Sequence, residues 1–138
     1  MTQADMLSPL RFLFLAGDGI GPEIAASTLQ VLSAVAPLCD RPVEITEADI
    51  GFRALEAVGC TIPDPVRKVA KDVDGVVLGP VSHNDYPPVA EGGLNPSGTL
   101  RKDLELYANI RPARTWDGVP KPTSGHFHLT VMRENLEG

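Results

Sequence analysis

The sequence lacks the long apolar runs and basic clusters that mark membrane and nucleic-acid-binding proteins. No apolar stretch reaches the roughly 18 residues that a membrane span needs, and the chain starts without the basic and apolar regions of a secretion signal. We therefore expect a soluble, cytoplasmic protein with no membrane partner. The net charge is −6, and no run of lysine and arginine could follow a phosphate backbone, so we expect no nucleic-acid partner.

Cysteine is also scarce. Cys39 and Cys60 are too few for a disulfide scaffold, and they lack the spacing of a metal site, so we interpret both as reduced structural thiols. Hydrophobic residues make up 43% and charged residues 22% of the chain, which excludes a disordered, collagen-like or coiled-coil protein.

Glycine and proline, by contrast, are abundant at 13 each among 138 residues, which predicts short elements joined by tight turns. The apolar segments alternate between strand and helix patterns, and this order is typical of βαβ units with a mostly parallel sheet. The predicted strands are 12–16, 43–48, 75–79 and 127–133, and the predicted helices are 22–36, 52–58, 66–72 and 99–107.

The helix patterns also predict which side chains are buried. The inward stripe predicted for the first helix is Ile24, Thr28, Val31, Leu32 and Val35. The third helix should face inward with Val66, Val69 and Ala70, and the second should end at a left-handed Gly59. In the last helix, Arg101 and Glu105 are spaced for an i,i+4 ion pair.

Residues 80–98 are rich in proline, glycine and asparagine and predict a long irregular loop. A loop of this length inside a compact domain is usually functional. It follows the carboxyl end of a predicted buried strand, which is where open α/β sheets bind their ligands.

A glycine-rich turn, Gly17-Asp18-Gly19-Ile20-Gly21-Pro22-Glu23, follows the first predicted strand. Its glycines are spaced GxGxG, and Pro22 stands where the dinucleotide fingerprint needs its last glycine, so that fingerprint is absent. Two interpretations stay open: a purely structural tight turn, or a helix N-terminus that offers N–H groups to an anion or amide.

Four arginines in the later part of this acidic chain, Arg101, Arg111, Arg114 and Arg133, suggest a carboxylate site. Guanidinium groups bind carboxylates through paired hydrogen bonds, and several in one pocket suit a substrate with two or three carboxylates. The alternative is that each is a solvated surface residue.

The histidines give a weaker signal. His126 and His128 would share a face of the last predicted strand, either as a two-point metal contact or as an exposed face. His83 lies in the long loop, where it could titrate near a ligand or serve only as a loop residue.

Several segments together resemble the β-decarboxylating dehydrogenases, the family of isocitrate, isopropylmalate, homoisocitrate and tartrate dehydrogenases. They are the glycine turn, Val77-Leu78-Gly79, Leu100-Arg101-Lys102, Tyr107-Ala108-Asn109-Ile110-Arg111-Pro112 and Val131-Met132-Arg133-Glu134-Asn135-Leu136-Glu137-Gly138. The resemblance covers residues 11–138. It implies an α/β fold of the isocitrate/isopropylmalate dehydrogenase type, with three αβα layers, distinct from the Rossmann fold and incomplete in this chain.

The resemblance also implies a function: metal-dependent oxidation of a 2-hydroxy di- or tricarboxylic acid by NAD or NADP, followed by loss of the carboxylate β to the new ketone. Residues 1–106 would be the N-terminal part of the large cofactor and substrate domain. Residues 107–138 would begin a second domain for dimerisation and substrate binding, and the complete protein would be a homodimer.

By family position, Arg101, Arg111 and Arg133 would hold the substrate carboxylates, and Asn95 and Ser97 would read its third substituent. Ile20, Gly79, Pro80, Val81 and Ser82 would line the nicotinamide or ribose side of the cofactor. The catalytic lysine and tyrosine and the aspartates that bind Mg or Mn in this family have no counterpart here. The resemblance therefore assigns this chain no catalytic and no metal-binding residue, and we expect the chain to be inactive alone, with open sheet edges and apolar helix faces.

Asn95, Ser97 and Thr99 offer hydrogen bonds and little apolar surface, so we expect a substrate resembling isocitrate, malate or tartrate rather than isopropylmalate. Other interpretations stay open: a non-enzymatic carboxylate-binding or regulatory subunit, a truncated reading frame without function, or an unrelated flavodoxin-like phosphate binder.

Overall fold

The computed structural model describes residues 8–121 and 123–135, and the chain divides into two compact units between Leu104 and Glu105. The elements of the first unit are β1 (Leu10–Leu15), α1 (Gly21–Val35), β2 (Val43–Glu47), α2 (Phe52–Val58), α3 (Asp64–Asp72), β3 (Gly75–Leu78) and α4 (Pro96–Asp103). Short 3₁₀ turns lie at Ala36–Leu38 and Val89–Glu91. The second unit holds β4 (Ala108–Arg114) and β5 (His128–Glu134). The domain boundary at 106 and the roles given to the two domains stay predictions.

The first unit contains a parallel sheet, as the alternating pattern predicted, and its strand order is β2-β1-β3. The central strand is β1, and its residues Leu13, Phe14 and Leu15 are at most 3% exposed because both of its faces are covered. Leu13 and Leu15 begin a core that α3, α4 and the segments on either side of α2 complete. The members of that core are Leu13, Leu15, Ile50, Ile62, Val66, Ala70 and Leu100.

The third helix is oriented largely as predicted. Val66 and Ala70, four residues apart, are buried in the core, whereas Val69 is 37% exposed, so its predicted burial is wrong. The second helix ends at Gly59 with a φ of 74°, which confirms the left-handed cap.

Helix α1 packs through a face that matches the predicted stripe only in part, since Thr28 and Leu32 of that stripe are half-buried. Ile24, Val31 and Val35 are all at least 46% exposed, whereas Gly21 and Ala25 are buried. The reason is close packing at the start of the helix, because a Cβ on Gly21 would stand 2.2 Å from the carbonyl oxygen of Ala16. Small residues therefore face the sheet, and much of the branched apolar surface lies outside.

Helix α4 begins and ends earlier than its predicted bounds of 99–107. Asn95 caps its N-terminus and Pro96 occupies its first turn, so three residues assigned to the loop are helical. The helix ends at Asp103, and Glu105 has a left-handed φ of 51°. Because Glu105 is not helical, the predicted i,i+4 pair with Arg101 is wrong. Tyr107, predicted in this helix, is 65% exposed and lies outside it.

In the second unit, β4 and β5 form an antiparallel hairpin. The sequence pattern predicted β5 within one residue at each end but did not predict β4. Pro112 lies inside β4, and a two-stranded ribbon tolerates it because each strand has an outer edge without a hydrogen-bonded neighbour. No helix within the described residues is long and apolar enough to cross a membrane.

Candidate functional site

The glycine turn and the segment after β3 lie directly against each other. The Asp18 backbone N–H donates to the Pro80 carbonyl oxygen at 2.8 Å. Gly17 has a φ of +78°, and a Cβ there would stand 2.1 Å from the same oxygen, so only glycine fits this approach. The structure thus brings the glycine turn, which carries the predicted cofactor residue Ile20, against the predicted cofactor segment 79–82.

The buried carboxylate of Asp18 stabilises this contact between the two segments. Asp18 is only 8% exposed, and it accepts hydrogen bonds from the Phe52 N–H at 2.8 Å, the Ser82 N–H at 3.0 Å and the Tyr86 hydroxyl. Gly51 leaves room for it, since a Cβ there would stand 2.1 Å from a carboxylate oxygen. One buried side chain therefore fixes the turn, the start of α2 and the long loop.

Tyr86 is held on two sides. Its ring packs edge-on against Phe52, with centroids 5.0 Å apart and planes at 82°. Burial, together with the hydrogen bond to Asp18 and the charge of that carboxylate, raises the pKa of the Tyr86 hydroxyl. Tyr86 therefore stays a neutral hydrogen-bond donor at physiological pH.

The start of α1 is poorly suited to a phosphate. Gly21 donates its N–H to the Asp18 carbonyl oxygen at 2.8 Å, Pro22 has no N–H, and Glu23 adds negative charge in the first turn. Around it, Ile20 is 60% exposed and Pro80 is also exposed. This surface fits an uncharged, partly apolar group of a cofactor better than an anion.

The far end of the long loop is also fixed. Thr61 is fully buried, its hydroxyl donates to the Leu94 carbonyl oxygen at 2.5 Å, and its backbone N–H donates to the Gly92 carbonyl oxygen at 3.0 Å. Gly93 lies so close to Pro87 that a Cβ would stand 1.8 Å from its carbonyl oxygen. Because Asp18 bonds one end of the loop and Thr61 bonds the other, the loop conformation is preorganised.

Helix α4 carries Arg101, which is half-buried. At the helix start, the Asn95 side-chain oxygen accepts the Gly98 N–H at 3.3 Å, and in the middle Leu100 enters the core at 4% exposed. Asn95 therefore has a capping role in addition to the predicted substrate role, which stays a prediction, as does that of the half-buried Ser97.

A bidentate salt bridge stabilises the last turn of α4. Arg67 of α3 donates to both carboxylate oxygens of Asp103, through Nε at 2.5 Å and Nη2 at 2.9 Å, and its Nη1 reaches Asp64 at 2.9 Å. The hydrogen bond with Arg67 lowers the pKa of the Asp103 carboxyl, and the same contact raises the pKa of the Arg67 guanidinium. The helix that presents Arg101 is thus fixed at its start, middle and end.

In the second unit, the hairpin register brings two of the predicted substrate arginines onto one face. Arg111 pairs with Val131, and Asn109 pairs with Arg133, so Arg111 and Arg133 are diagonal neighbours across the ribbon. Such neighbours lie about 7–8 Å apart, which is within reach of one small polycarboxylate. Both arginines are exposed, and Arg111 donates its Nε–H to the Asn109 side-chain oxygen at 3.2 Å.

The fourth arginine has a different environment. Arg114 pairs with His128 on the opposite face of the hairpin, and its guanidinium stacks on the Trp116 ring at 3.5 Å from the centroid. Its position separates it from Arg111 and Arg133.

The predicted shared strand face of His126 and His128 is wrong, because β5 begins at His128. His126 instead contacts the Thr115 hydroxyl and the Lys121 ammonium, each at 3.3 Å. Across residues 8–121 and 123–135, no group of three or more His, Cys, Asp or Glu side chains could hold a metal ion. His83 lies in a turn of the long loop.

The sequence interpretation missed Asp18 and Thr61 as site-building residues. Asp18 carries a weak local signal, since it is an acid placed between two glycines directly after a buried strand. Its partners are 34 to 68 residues away, so no spacing rule could identify them.

The sequence of this chain is similar to that of a known protein family. The family model for isocitrate/isopropylmalate dehydrogenase matches residues 11–138, of which 136–138 lie outside the described residues. A 3-isopropylmalate dehydrogenase of Mycobacterium bovis is 38% identical over 132 residues, which are 94% of this chain and 38% of that protein. The chain therefore spans well under half the length of the curated relatives it matches.

Two solved structures show the same fold. The isocitrate dehydrogenase of Methylococcus capsulatus superposes with a TM-score of 0.76 at 31% identity, over 93% of this chain and 35% of that one. The TT0538 protein of Thermus thermophilus gives a TM-score of 0.73 at 32% identity, over 92% of this chain and 24% of that one. The expected α/β fold is thus confirmed, in incomplete form, and the chain belongs to the isocitrate/isopropylmalate dehydrogenase family.

Proposed function

We propose that this chain supplies the carboxylate-binding arginines and part of the cofactor surface of a β-decarboxylating dehydrogenase. The reaction is oxidation of a 2-hydroxy di- or tricarboxylic acid by NAD or NADP, followed by loss of carbon dioxide. The observation that carries the proposal is the hairpin face shared by Arg111 and Arg133, in a chain of this family. By family position, Arg101 on α4 of the first unit is a further candidate for carboxylate binding.

The arginines bind and orient. Each guanidinium offers a planar set of donors that matches a carboxylate, and two or three of them fix the substrate so that its hydroxyl-bearing carbon has one orientation. Their positive charge also stabilises the carboxylate until the carbon–carbon bond breaks. Replacing one by lysine keeps the charge but loses the paired contact.

The cofactor surface is the area around Ile20 and residues 79–82. Its exposed apolar side chains suit the nicotinamide and ribose portion of a dinucleotide, while the engaged N–H groups and Glu23 disfavour its phosphates. When bound, NAD or NADP supplies the hydride acceptor and Mg or Mn the polarising charge. Among the described residues no group of three His, Cys, Asp or Glu side chains could hold that metal.

The expected preference for isocitrate, malate or tartrate over isopropylmalate is not favoured. It relied on the hydrogen-bonding side chains of Asn95, Ser97 and Thr99, and the Asn95 side-chain oxygen is already engaged as the cap of α4. The Mycobacterium bovis relative named above is a 3-isopropylmalate dehydrogenase. All four substrates therefore belong in one assay.

The test is to incubate the complete protein that contains this chain with Mg or Mn, NAD or NADP, and each acid in turn, and to follow the reduced cofactor and carbon dioxide. We expect turnover of at least one acid, abolished by Arg111→Ala and retained by Arg114→Ala. Binding of the acids by calorimetry without turnover would instead favour a non-enzymatic carboxylate-binding subunit. The absence of both binding and turnover would overturn the proposal.

We also propose homodimerisation of the complete protein and a cytoplasmic location. Ile110 and Met132 are each at least 60% exposed on one face of the hairpin, and Val131 is 51% exposed on the other. An isolated two-stranded ribbon is marginally stable in water, so this apolar surface favours a further packing partner. Light scattering on the natural protein tests the dimer, and cell fractionation tests the location.

A further inference from the structure

We propose that Asn109 is a positioning residue for Arg111: it fixes the guanidinium so that the substrate carboxylate binds through the two terminal Nη groups. This inference rests on the proposed function and deepens it, because it adds a residue to which no substrate role has been given. The contact that carries it is the 3.2 Å hydrogen bond from Arg111 Nε to the Asn109 side-chain oxygen.

The strand register makes this contact more than a chance surface pairing. Asn109 and Arg111 are two residues apart on β4 and so share a face, and Asn109 lies directly opposite Arg133. Opposed residues in an antiparallel pair have Cβ atoms about 4.5–5.5 Å apart. Asn109 therefore lies beside both arginines of the proposed carboxylate site.

Burial indicates which partner directs the other. Asn109 is half-buried, whereas Arg111 is exposed. An exposed arginine samples many rotamers, and ordering it on ligand binding costs conformational entropy. Because Asn109 already orders the Nε end, this cost falls before the substrate arrives.

The hydrogen bond also selects a binding geometry. A guanidinium can bind a carboxylate either through Nε and one Nη, or end-on through both Nη groups. With Nε engaged by Asn109, the first mode is blocked and the second is left. The side-chain NH2 group of Asn109 still offers two hydrogen-bond donors beside the Arg111 guanidinium.

The first test is a double-mutant cycle with Asn109→Ala and Arg111→Ala. With an acid that the complete protein turns over, we expect Asn109→Ala alone to raise KM about 10-fold and to lower kcat less, in line with loss of a hydrogen bond to a charged group. In the Arg111→Ala background, Asn109→Ala should have no further effect, because Asn109 acts through that guanidinium. In an Arg101→Ala background, Asn109→Ala should raise KM as much as it does in the wild type, because Arg111 is still present.

Thr130→Ala is the matched control on the hairpin. Thr130 pairs with Pro112 on the opposite face and is exposed, so its truncation should leave KM and thermal stability unchanged. Circular dichroism of Asn109→Ala checks that the hairpin still forms. A KM within twofold of the wild type, or independent effects of the two substitutions, would overturn the proposal.

A second readout does not depend on activity. In the NMR spectrum of the 138-residue chain, the Arg111 Nε–H signal should exchange slowly with water and broaden in Asn109→Ala, while the Arg133 Nε–H signal should change less. An unchanged Arg111 signal would show that no such hydrogen bond exists. If the bond is seen but Arg111→Ala leaves ligand binding intact, the proposed function fails rather than the positioning contact.

Discussion

The Tyr86 hydroxyl donates a hydrogen bond to Asp18 Oδ2, the same oxygen that accepts the Ser82 N–H at 3.0 Å. The two side chains are 68 residues apart in the chain, and their contact closes the long loop onto the glycine turn. Since the loop includes the predicted cofactor segment, this single contact links folding to the proposed cofactor surface.

Tyr86→Phe tests that contact. The variant keeps the ring that packs on Phe52 but loses the hydrogen bond, which should lower the free energy of unfolding by about 1–2 kcal/mol at neutral pH. The pKa of Tyr86 is raised in the folded state, so the wild-type contribution is complete below the ordinary value of 10.0 and is lost as pH rises above it. The gap between the two proteins should therefore narrow above pH 10.

Urea denaturation at several pH values measures both effects. Tyr107→Phe is the control, because Tyr107 is 65% exposed and its hydroxyl should contribute little at neutral pH. Equal stability of Tyr86→Phe and wild type at pH 7 would contradict the contact.

The glycine turn offers a matched pair of substitutions. Gly17 and Gly19 both have positive φ, at 78° and 57°, but an added Cβ meets the Pro80 oxygen at 2.1 Å in the first case and nothing within 4 Å in the second. We expect Gly19→Ala to cost about 1–2 kcal/mol from backbone strain alone. Gly17→Ala adds a steric clash and should cost roughly 3 kcal/mol or more.

Thermal and urea unfolding of the two variants gives the comparison. The difference between their unfolding free energies measures the cost of the steric clash with residues 79–82, because both variants share the cost of a positive φ. Similar losses for both variants would mean that the two segments are farther apart than the structure shows.

The Arg67–Asp103 bridge predicts a stability effect in acid. Because Arg67 lowers the pKa of Asp103 in the folded state, the bridge contributes fully above the ordinary value of 3.8 and is lost as pH falls through the lower folded value. Asp103 is 15% and Arg67 32% exposed, so solvent weakens the interaction, and Asp103→Asn should cost about 1 kcal/mol at pH 7.

The control is the exposed pair Arg53–Asp49, whose side chains are 77% and 57% exposed at 3.5 Å. Asp49→Asn should change stability little at any pH. Denaturation at pH 7 and below pH 4 distinguishes the two pairs, and identical behaviour would argue against a specific bridge at α4.

Much of the first unit could be predicted because its signals are local. The continuous apolar run of β1, the glycine turn and the cap at Gly59 are each set by neighbouring residues. The Asn95-Pro96 start of α4 was also a local signal, but it lay in a segment whose proline and glycine content indicated a loop. Strand β4 was missed because Pro112 is unfavourable in a sheet interior and tolerated only in an edge strand.

The candidate site was predictable only in part, for a different physical reason. The arginines were found because their chemistry is evident from residue type, and family motifs singled out three of them. Which arginines share a face depends on the hairpin register, and the roles of Asp18 and Thr61 depend on partners 31 to 68 residues distant. Such contacts exist only once the chain has folded.

Arg101→Lys tests the proposed carboxylate role on the helix whose position is best defined. Lysine keeps the positive charge but replaces a planar fork by a point charge, so the paired contact is lost. In the active protein we expect kcat/KM to fall by the equivalent of about 2–3 kcal/mol, with folding unaffected because Leu100 and the Arg67–Asp103 bridge still hold α4. Arg114→Lys is the comparison: Arg114 stacks on Trp116, on the hairpin face opposite Arg111, so the same chemical change there should leave kcat/KM unaltered. If the two substitutions have equal effects, Arg101 has no special place in substrate binding.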